Sequence, residues 1–304
     1  MDNAHKDHLV KGVACGLAAF FLFSIMSASA KLLSDTHSVF EIAFYRSLLG
    51  AVPLAIYICA KKRTDLLRVK KPVTLFFRIL TGIFGLAVSF LALKYMPMAD
   101  ATLIFMSATL ITPALAAIFL KEQVGLHRWG AIIIGLAGVA IIVKPTGDVT
   151  MVGIIIAFVA AWTHASAQIF LRILKEENSF TISFYFMVGG ALLMLPFIPF
   201  VAVTPTWNEI PLFIAVSASG SLAQICLAYA LSNASASVIS PLNFSGLLWA
   251  VVLDIIVWSV MPGWPIFAGG AIIIAAQSYI IYREKRAKNR KERLKATEDT
   301  GHLH

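Results

Sequence analysis

Along this chain, long apolar runs alternate with short polar breaks, and each run is close to twenty residues long. A helix rises 1.5 Å per residue, so about twenty apolar residues cross the hydrocarbon core of a bilayer. Ten segments meet that length: roughly 11–33, 39–60, 72–93, 98–120, 127–144, 150–172, 180–201, 211–231, 236–260 and 264–283. The third and fifth give the weakest signal, because Arg78 interrupts one and the other is short. Connections between segments are too short to hold a soluble domain. The pattern predicts an all-α integral membrane protein with ten transmembrane helices.

Composition agrees. Of the 304 residues, 59% are hydrophobic and 13% charged, about half the charged share of a soluble domain. The mean hydropathy is +0.83. The first apolar stretch follows Met1–Lys11 without an early run of basic residues, and further spans come directly after it, so it reads as helix 1 rather than a cleavable signal. Cys15, Cys59 and Cys226 are odd in number and far apart, which gives neither a disulfide framework nor zinc spacing.

The net charge of +9 is concentrated rather than spread. Lys61, Lys62, Arg63, Arg68, Lys70 and Lys71 crowd the loop between helices 2 and 3, and the tail from Arg283 to Lys295 carries eight more Lys and Arg. An even helix count puts both clusters on the side of the N-terminus, where Lys121, Arg128, Arg172 and Lys175 join them. Opposite lie only Lys31, Lys94 and Lys144 near helix ends. The positive-inside rule then predicts cytoplasmic termini. The basic tail reads first as a topology anchor, with contact to anionic lipid as a second role. No nucleic-acid partner is expected, since the juxtamembrane position already accounts for the charge.

The chain also repeats itself. A shift of 141 residues sets Gly12 on Gly153, Lys31 on Arg172, Ser38 on Ser179 and Phe44 on Tyr185. A shift of 135 sets Ala99–Thr102 on 234–237, Trp129 on Trp264 and Gly135 on Gly270. The halves fall at 1–146 (helices 1–5) and 147–283 (helices 6–10), followed by a basic cytoplasmic tail, 284–304. Five is odd, so the second half enters the membrane from the other side. Inverted repeats of this kind in transporters place the substrate at their interface near the midplane.

Several motifs are familiar. The run His37-Ser-Val-Phe-Glu-Ile-Ala-Phe-Tyr-Arg46 resembles the second-helix motif of the EamA family, in the drug/metabolite transporter superfamily. So do Tyr95-Met-Pro-Met-Ala-Asp-Ala-Thr102, Phe119-Leu-Lys-Glu122 and Trp129-Gly-Ala-Ile-Ile-Ile-Gly135. With the duplication, the resemblance covers nearly the whole chain. The second half departs from it: the family usually has a Glu near the end of helix 9, where this chain reads Val257-Trp-Ser-Val-Met-Pro262. The resemblance implies two inverted five-helix EamA repeats in a bacterial inner membrane, and a small-molecule metabolite as cargo. The branch it looks most like includes S-adenosylmethionine uptake and riboflavin transporters.

Polar groups inside the spans are the candidate site, because a bilayer penalises them unless they face protein or water. Arg46 in helix 2 could fork onto a substrate carboxylate or phosphate, or pair with carbonyls and fix the bundle. The family motif carries this Arg across different cargoes, which favours the structural role. Phe20, Ser24, Ser27 and Lys31 make one stripe on helix 1, and Thr102, Phe105, Thr109 and Thr112 one on helix 4. Ser240 and Phe244 continue the theme in helix 9. Such stripes serve close helix packing or line a cavity. His164 and Gln168 share a face of helix 6, and Trp162 and Tyr185 could stack on a planar or cationic cargo. Asp254 and His164 are candidates for proton or cation coupling. Pro113 and Pro241 are candidate hinges, each expected to kink its helix.

The rival class is an integral-membrane enzyme acting on a small or lipid-like substrate. The chain has no His-Glu-x-x-His, P-loop or Gly-x-Ser-x-Gly motif, and no acidic loop cluster for a metal. No catalytic residue, metal or cofactor is expected. The sequence predicts a secondary transporter working by alternating access.

Overall fold

The structure, a computed structural model, describes residues 2–119, 130, 133–134, 137, 150–174, 176–233, 240–276, 278–279, 282 and 286. Helices α1 (Asp2–Leu33), α2 (Val39–Ala60), α3 (Pro72–Tyr95), α4 (Met98–Met106) and α5 (Ala108–Phe119) form the first half. The second half contributes α6 (Met151–Ile173), α7 (Ser179–Met194), α8 (Ile198–Val201), α9 (Ile210–Asn233), α10 (Phe244–Trp258) and α11 (Trp264–Ala276). Among the described residues no strand occurs. Seven spans are long and apolar enough to cross a membrane, with α4–α5 and α7–α8 each counted as one, and α10 and α11 are shorter apolar helices. Nearly all of the expected fifth span, Trp129 and Gly135 included, lies outside the described residues, as does nearly all of the basic tail.

Helix starts follow local chemistry. Ser38 caps α2 by accepting from the Phe40 N–H, and Asn178 caps α7 by accepting from the Phe180 N–H. Thr150 caps α6 through the Gly153 N–H, and Pro72 opens α3, where a missing N–H costs nothing. The α7–α8 span breaks around Pro196 and Pro199, which sit in and just after a short 3₁₀ turn, Leu195–Phe197.

The fourth span also breaks. The interruption falls at Ser107, and Pro113 lies inside α5. Three hydroxyls explain the site. Ser107 donates to the Ile104 carbonyl at 2.6 Å, Thr109 to Met106 at 2.7 Å and Thr112 to Ala108 at 2.7 Å. Side chains that bond back onto the preceding turn compete with the backbone ladder and bend helices. Pro241, the other expected kink, sits in a 3₁₀ turn, Ser240–Asn243, that leads into α10 rather than inside an α-helix.

Packing pairs the halves. Helix α1 lies along α9, and α3 lies along α6; α2 packs on α7 and α4 on α10. Numbered as the spans expected from the sequence, with α4–α5 the fourth, α7–α8 the seventh, α9 the eighth and α10 the ninth, an exchange of spans 1–5 with 6–10 maps this set of pairs onto itself. Two exchangeable halves would give that pattern. Small residues permit the close approach: a Cβ added to Gly190 would sit 2.7 Å from Ser47 Oγ and collide with Ile83. Large apolar side chains instead face outward, among them Phe76, Phe200, Leu248 and Ile256.

Candidate functional site

Between the halves lies a cavity of about 380 Å³. Helices α1 to α5 supply Phe20, Ser24, Arg46, Arg78, Ser89, Phe105 and Thr109 to its wall; α6, α7, α9 and the start of α10 supply His164, Gln168, Phe186, Gln224, Asn243 and Gly246. Nine of the residues singled out in the sequence therefore meet here: Phe20, Ser24, Ser27, Arg46, Thr102, Phe105, Thr109, His164 and Gln168.

Two arginines dominate its chemistry. Arg46 is 2% exposed. Its guanidinium lies 5.6 Å from the Phe186 ring centre, and the Arg78 guanidinium lies 4.7 Å from the same ring. Among the described residues, Arg46 Nη1 reaches only the Met187 sulfur, at 3.7 Å. Arg46 Nε and Arg78 Nε and Nη1 are buried without a hydrogen-bond partner among the described residues. Glycines make the room: a Cβ on Gly82 would collide with the Arg78 guanidinium, and one on Gly220 would sit 3.2 Å from Arg46 Nε. Arg78 went unrecognised in the sequence because a charge in the middle of a weak span reads as an interruption. The general cost of an intramembrane charge was the available signal.

His164 is fixed from two sides. Its ring meets Phe105 edge-on at 5.7 Å, and Nε2 lies 3.1 Å from Ser89 Oγ. The Ser89 hydroxyl donates to the Gly85 carbonyl at 2.7 Å, so its oxygen is left to accept from His164 Nε2–H. That arrangement suits the tautomer with its proton on Nε2. Ser24 donates to the carbonyls of Phe20 and Gly246, which ties α1 to the start of α10.

Other expected residues lie elsewhere. Trp162 is 50% exposed, on the opposite side of α6 from His164, as a spacing of two residues requires. Tyr185 donates its hydroxyl to the Leu67 carbonyl at 2.8 Å, near the helix ends. Phe244 packs into the apolar core beside α1 and α4. The side chains of Ser240, Pro113 and Pro241 lie outside the described residues.

Asp254, the coupling candidate, is 1% exposed and away from the cavity wall. Its two oxygens accept from the N–H groups of Met98 at 3.0 Å and Ala99 at 2.7 Å, and Lys31 Nζ lies 3.5 Å from Oδ1. Helix α4 follows Pro97, which offers no side-chain cap. Asp254 reaches across from α10 and caps it instead, where a helix start favours negative charge. Lys31 in turn lies 4.4 Å over the Trp258 ring.

Two polar clasps close opposite ends of α2. At its start, His37 lies between Glu41 (3.0 Å) and Glu209 (3.3 Å), and Thr36 donates to Glu209 at 2.7 Å. Beyond its end, Glu177 accepts from the N–H groups of Lys70 and Lys71 at 2.7 and 2.8 Å. Each clasp joins a connector of one half to a connector of the other. The Thr206 N–H and hydroxyl, then the Thr36 hydroxyl, hold the Glu209 carboxyl down at about 2.

Comparison with known proteins decides the family. The EamA-like transporter family matches residues 10–144 and again 151–282. The chain belongs to that family. It is similar to the S-adenosylmethionine uptake transporter of Rickettsia conorii, at 28% identity over 96% of this chain and 99% of that one. Pseudopaline exporter CntI of Pseudomonas aeruginosa is also 28% identical, over 89% of this chain and 95% of its own. A solved crystal structure superposes with a TM-score of 0.65 at 17% identity, covering 91% of this chain and 98% of its own, which shows a shared fold. This EamA protein is a multi-pass inner-membrane transporter of small metabolites, not an enzyme.

Two outcomes follow from the geometry. Asp254→Asn strands Lys31 and weakens the α4 cap, at a cost of about 3–5 kcal/mol for a broken buried pair. Unfolding in detergent should show that loss, partly recovered in Lys31→Met/Asp254→Asn. If Asp254 acts in coupling instead, the single variant keeps its stability and loses only the pH dependence of flux. Glu209 contributes stability that is fully present above the ordinary carboxylate pKa of 4.5 and is lost as pH falls towards about 2. The deficit of Glu209→Gln in thermal unfolding should hold from pH 7 to pH 5, then shrink below that.

Proposed function

We propose that the chain moves a small organic metabolite, of the S-adenosylmethionine, vitamin or amino-acid type, across the inner membrane by alternating access. Ten helices, arranged as inverted repeats over 1–146 and 147–283, enclose the cargo between them. Both termini, with the basic tail of 284–304, face the cytoplasm. One observation carries this reading: the cavity wall is drawn from both halves, and it sets fixed polar groups into an apolar surface, as ligand sites do. The clasps at the two ends of α2 fit it too, since each ties one half to the other and either could open without the other. The family relatives include an importer and an exporter, so flux must be read in both directions.

Counterflow in proteoliposomes tests the reading, with labelled S-adenosylmethionine, riboflavin and a set of amino acids. Saturable exchange of at least one compound is expected. Gly246 provides the control, because a Cβ there meets only Phe20 Cβ at 3.9 Å and a larger side chain extends into the cavity. Gly246→Trp should cut exchange more than tenfold. Full exchange in that variant, or none of any compound in the wild type, overturns the proposal.

A further inference from the structure

The cavity holds two guanidinium groups and no carboxylate among its described wall residues. Arginine keeps its charge in proteins, and a buried charge is ordinarily paired. Among the described residues neither arginine has a carboxylate partner, and three of their nitrogens are buried with no hydrogen bond. Arg46 comes from α2 and Arg78 from α3, and both lie against Phe186 from α7. Two forked donors thus converge on one ring, and Gly82 and Gly220 leave the space their planes require.

From this juxtaposition we infer that Arg46 and Arg78 form an anion subsite, and that the cargo is a carboxylate- or phosphate-bearing metabolite carrying more negative than positive charge. The inference rests on the transporter reading for the word cargo, but the subsite stands on its own geometry. The anion sits between the two guanidinium forks, which match carboxylate and phosphate oxygens in pairs. Phe105 and Phe20 offer an apolar wall to the rest of the molecule. Gln168 and Gln224 supply neutral donors and acceptors. The subsite narrows the proposed cargo types to the anionic ones: a net cation such as S-adenosylmethionine, whose sulfonium and ammonium outweigh its one carboxylate, is disfavoured by two fixed positive charges with no counter-carboxylate among the described wall residues.

Thermal protection of the purified protein in nanodiscs tests the subsite. The probes are phenylsuccinate, citrate, glutamate and phenyl phosphate, each set beside an uncharged counterpart (amide, or phenol for the phosphate), with S-adenosylmethionine as the cationic comparator. At least one anion should protect saturably, at a concentration tenfold or more below its neutral counterpart. Arg46→Gln and Arg78→Gln should each erase most of that preference. Arg46→Lys and Arg78→Lys, which keep the charge but lose the fork, should retain part of it and guard against a variant that fails to fold. Gly82→Ala, which crowds Arg78, should weaken anion protection without changing net charge. Equal protection by acid and neutral forms, protection by S-adenosylmethionine but by no anion, no protection by any anion, or an unchanged preference in folded arginine variants overturns the inference. Counterflow separates the two proposals. Transport of a cation without any anion binding keeps the transporter reading and removes the subsite; arginine-dependent anion binding without flux of any compound does the reverse.

Discussion

A bilayer interior offers no hydrogen bonds, so every polar group that a spanning helix carries must be answered by protein. That constraint organises the whole molecule. It sends the large apolar side chains outward and turns hydroxyls back onto their own helices, as at Ser107, Thr109 and Thr112. It also explains why Asp254 grips two backbone N–H groups and Lys31 at once. Where the rule is satisfied, the groups hold helices together. Arg46 and Arg78 are among the groups that the described protein leaves unanswered, and both line the cavity.

Much of this was legible in the sequence, because the signals concerned are local. Apolar length gives spans, the offsets near 141 and 135 give the duplication, and Ser38 and Thr150 announce helix starts. Helical spacing placed Ser24 with Phe20 and His164 with Gln168, and each pair does line the cavity. Long-range partnerships were not legible. Asp254 looked like an isolated carboxylate because its partners stand more than 150 positions earlier. Trp162 looked like a stacking platform because sequence proximity to His164 hid the opposite face it occupies. Arg78 interrupted a hydropathy run, and nothing local revealed that Phe186 would bring it beside Arg46. The break in the fourth span falls at Ser107, where Ser107, Thr109 and Thr112 bond back onto preceding carbonyls, and hydropathy does not register such bonds.

The two clasps give the proposed inverted arrangement a mechanical reading. One ties the first half's connector at Thr36 and His37 to Glu209; the other ties the second half's Glu177 to Lys70 and Lys71. Exchange of the halves converts one type of link into the other, although their chemistry differs. A histidine between carboxylates is a different fastening from a carboxylate on two backbone N–H groups. Near-equivalent halves with unlike fastenings can favour one closed end over the other without losing the ability to switch.

The central claim is that the halves open the cavity at one end while closing it at the other. Double electron–electron resonance measures this directly, with spin labels at Asp35 and Thr204 across one clasp and at Arg68 and Glu176 across the other, and Cys15, Cys59 and Cys226 replaced. In nanodiscs with a transported compound, the account predicts two populations at each pair, with the longer distance at one pair matched by the shorter at the other. A single unchanging distance at both pairs, or both lengthening together, would contradict it.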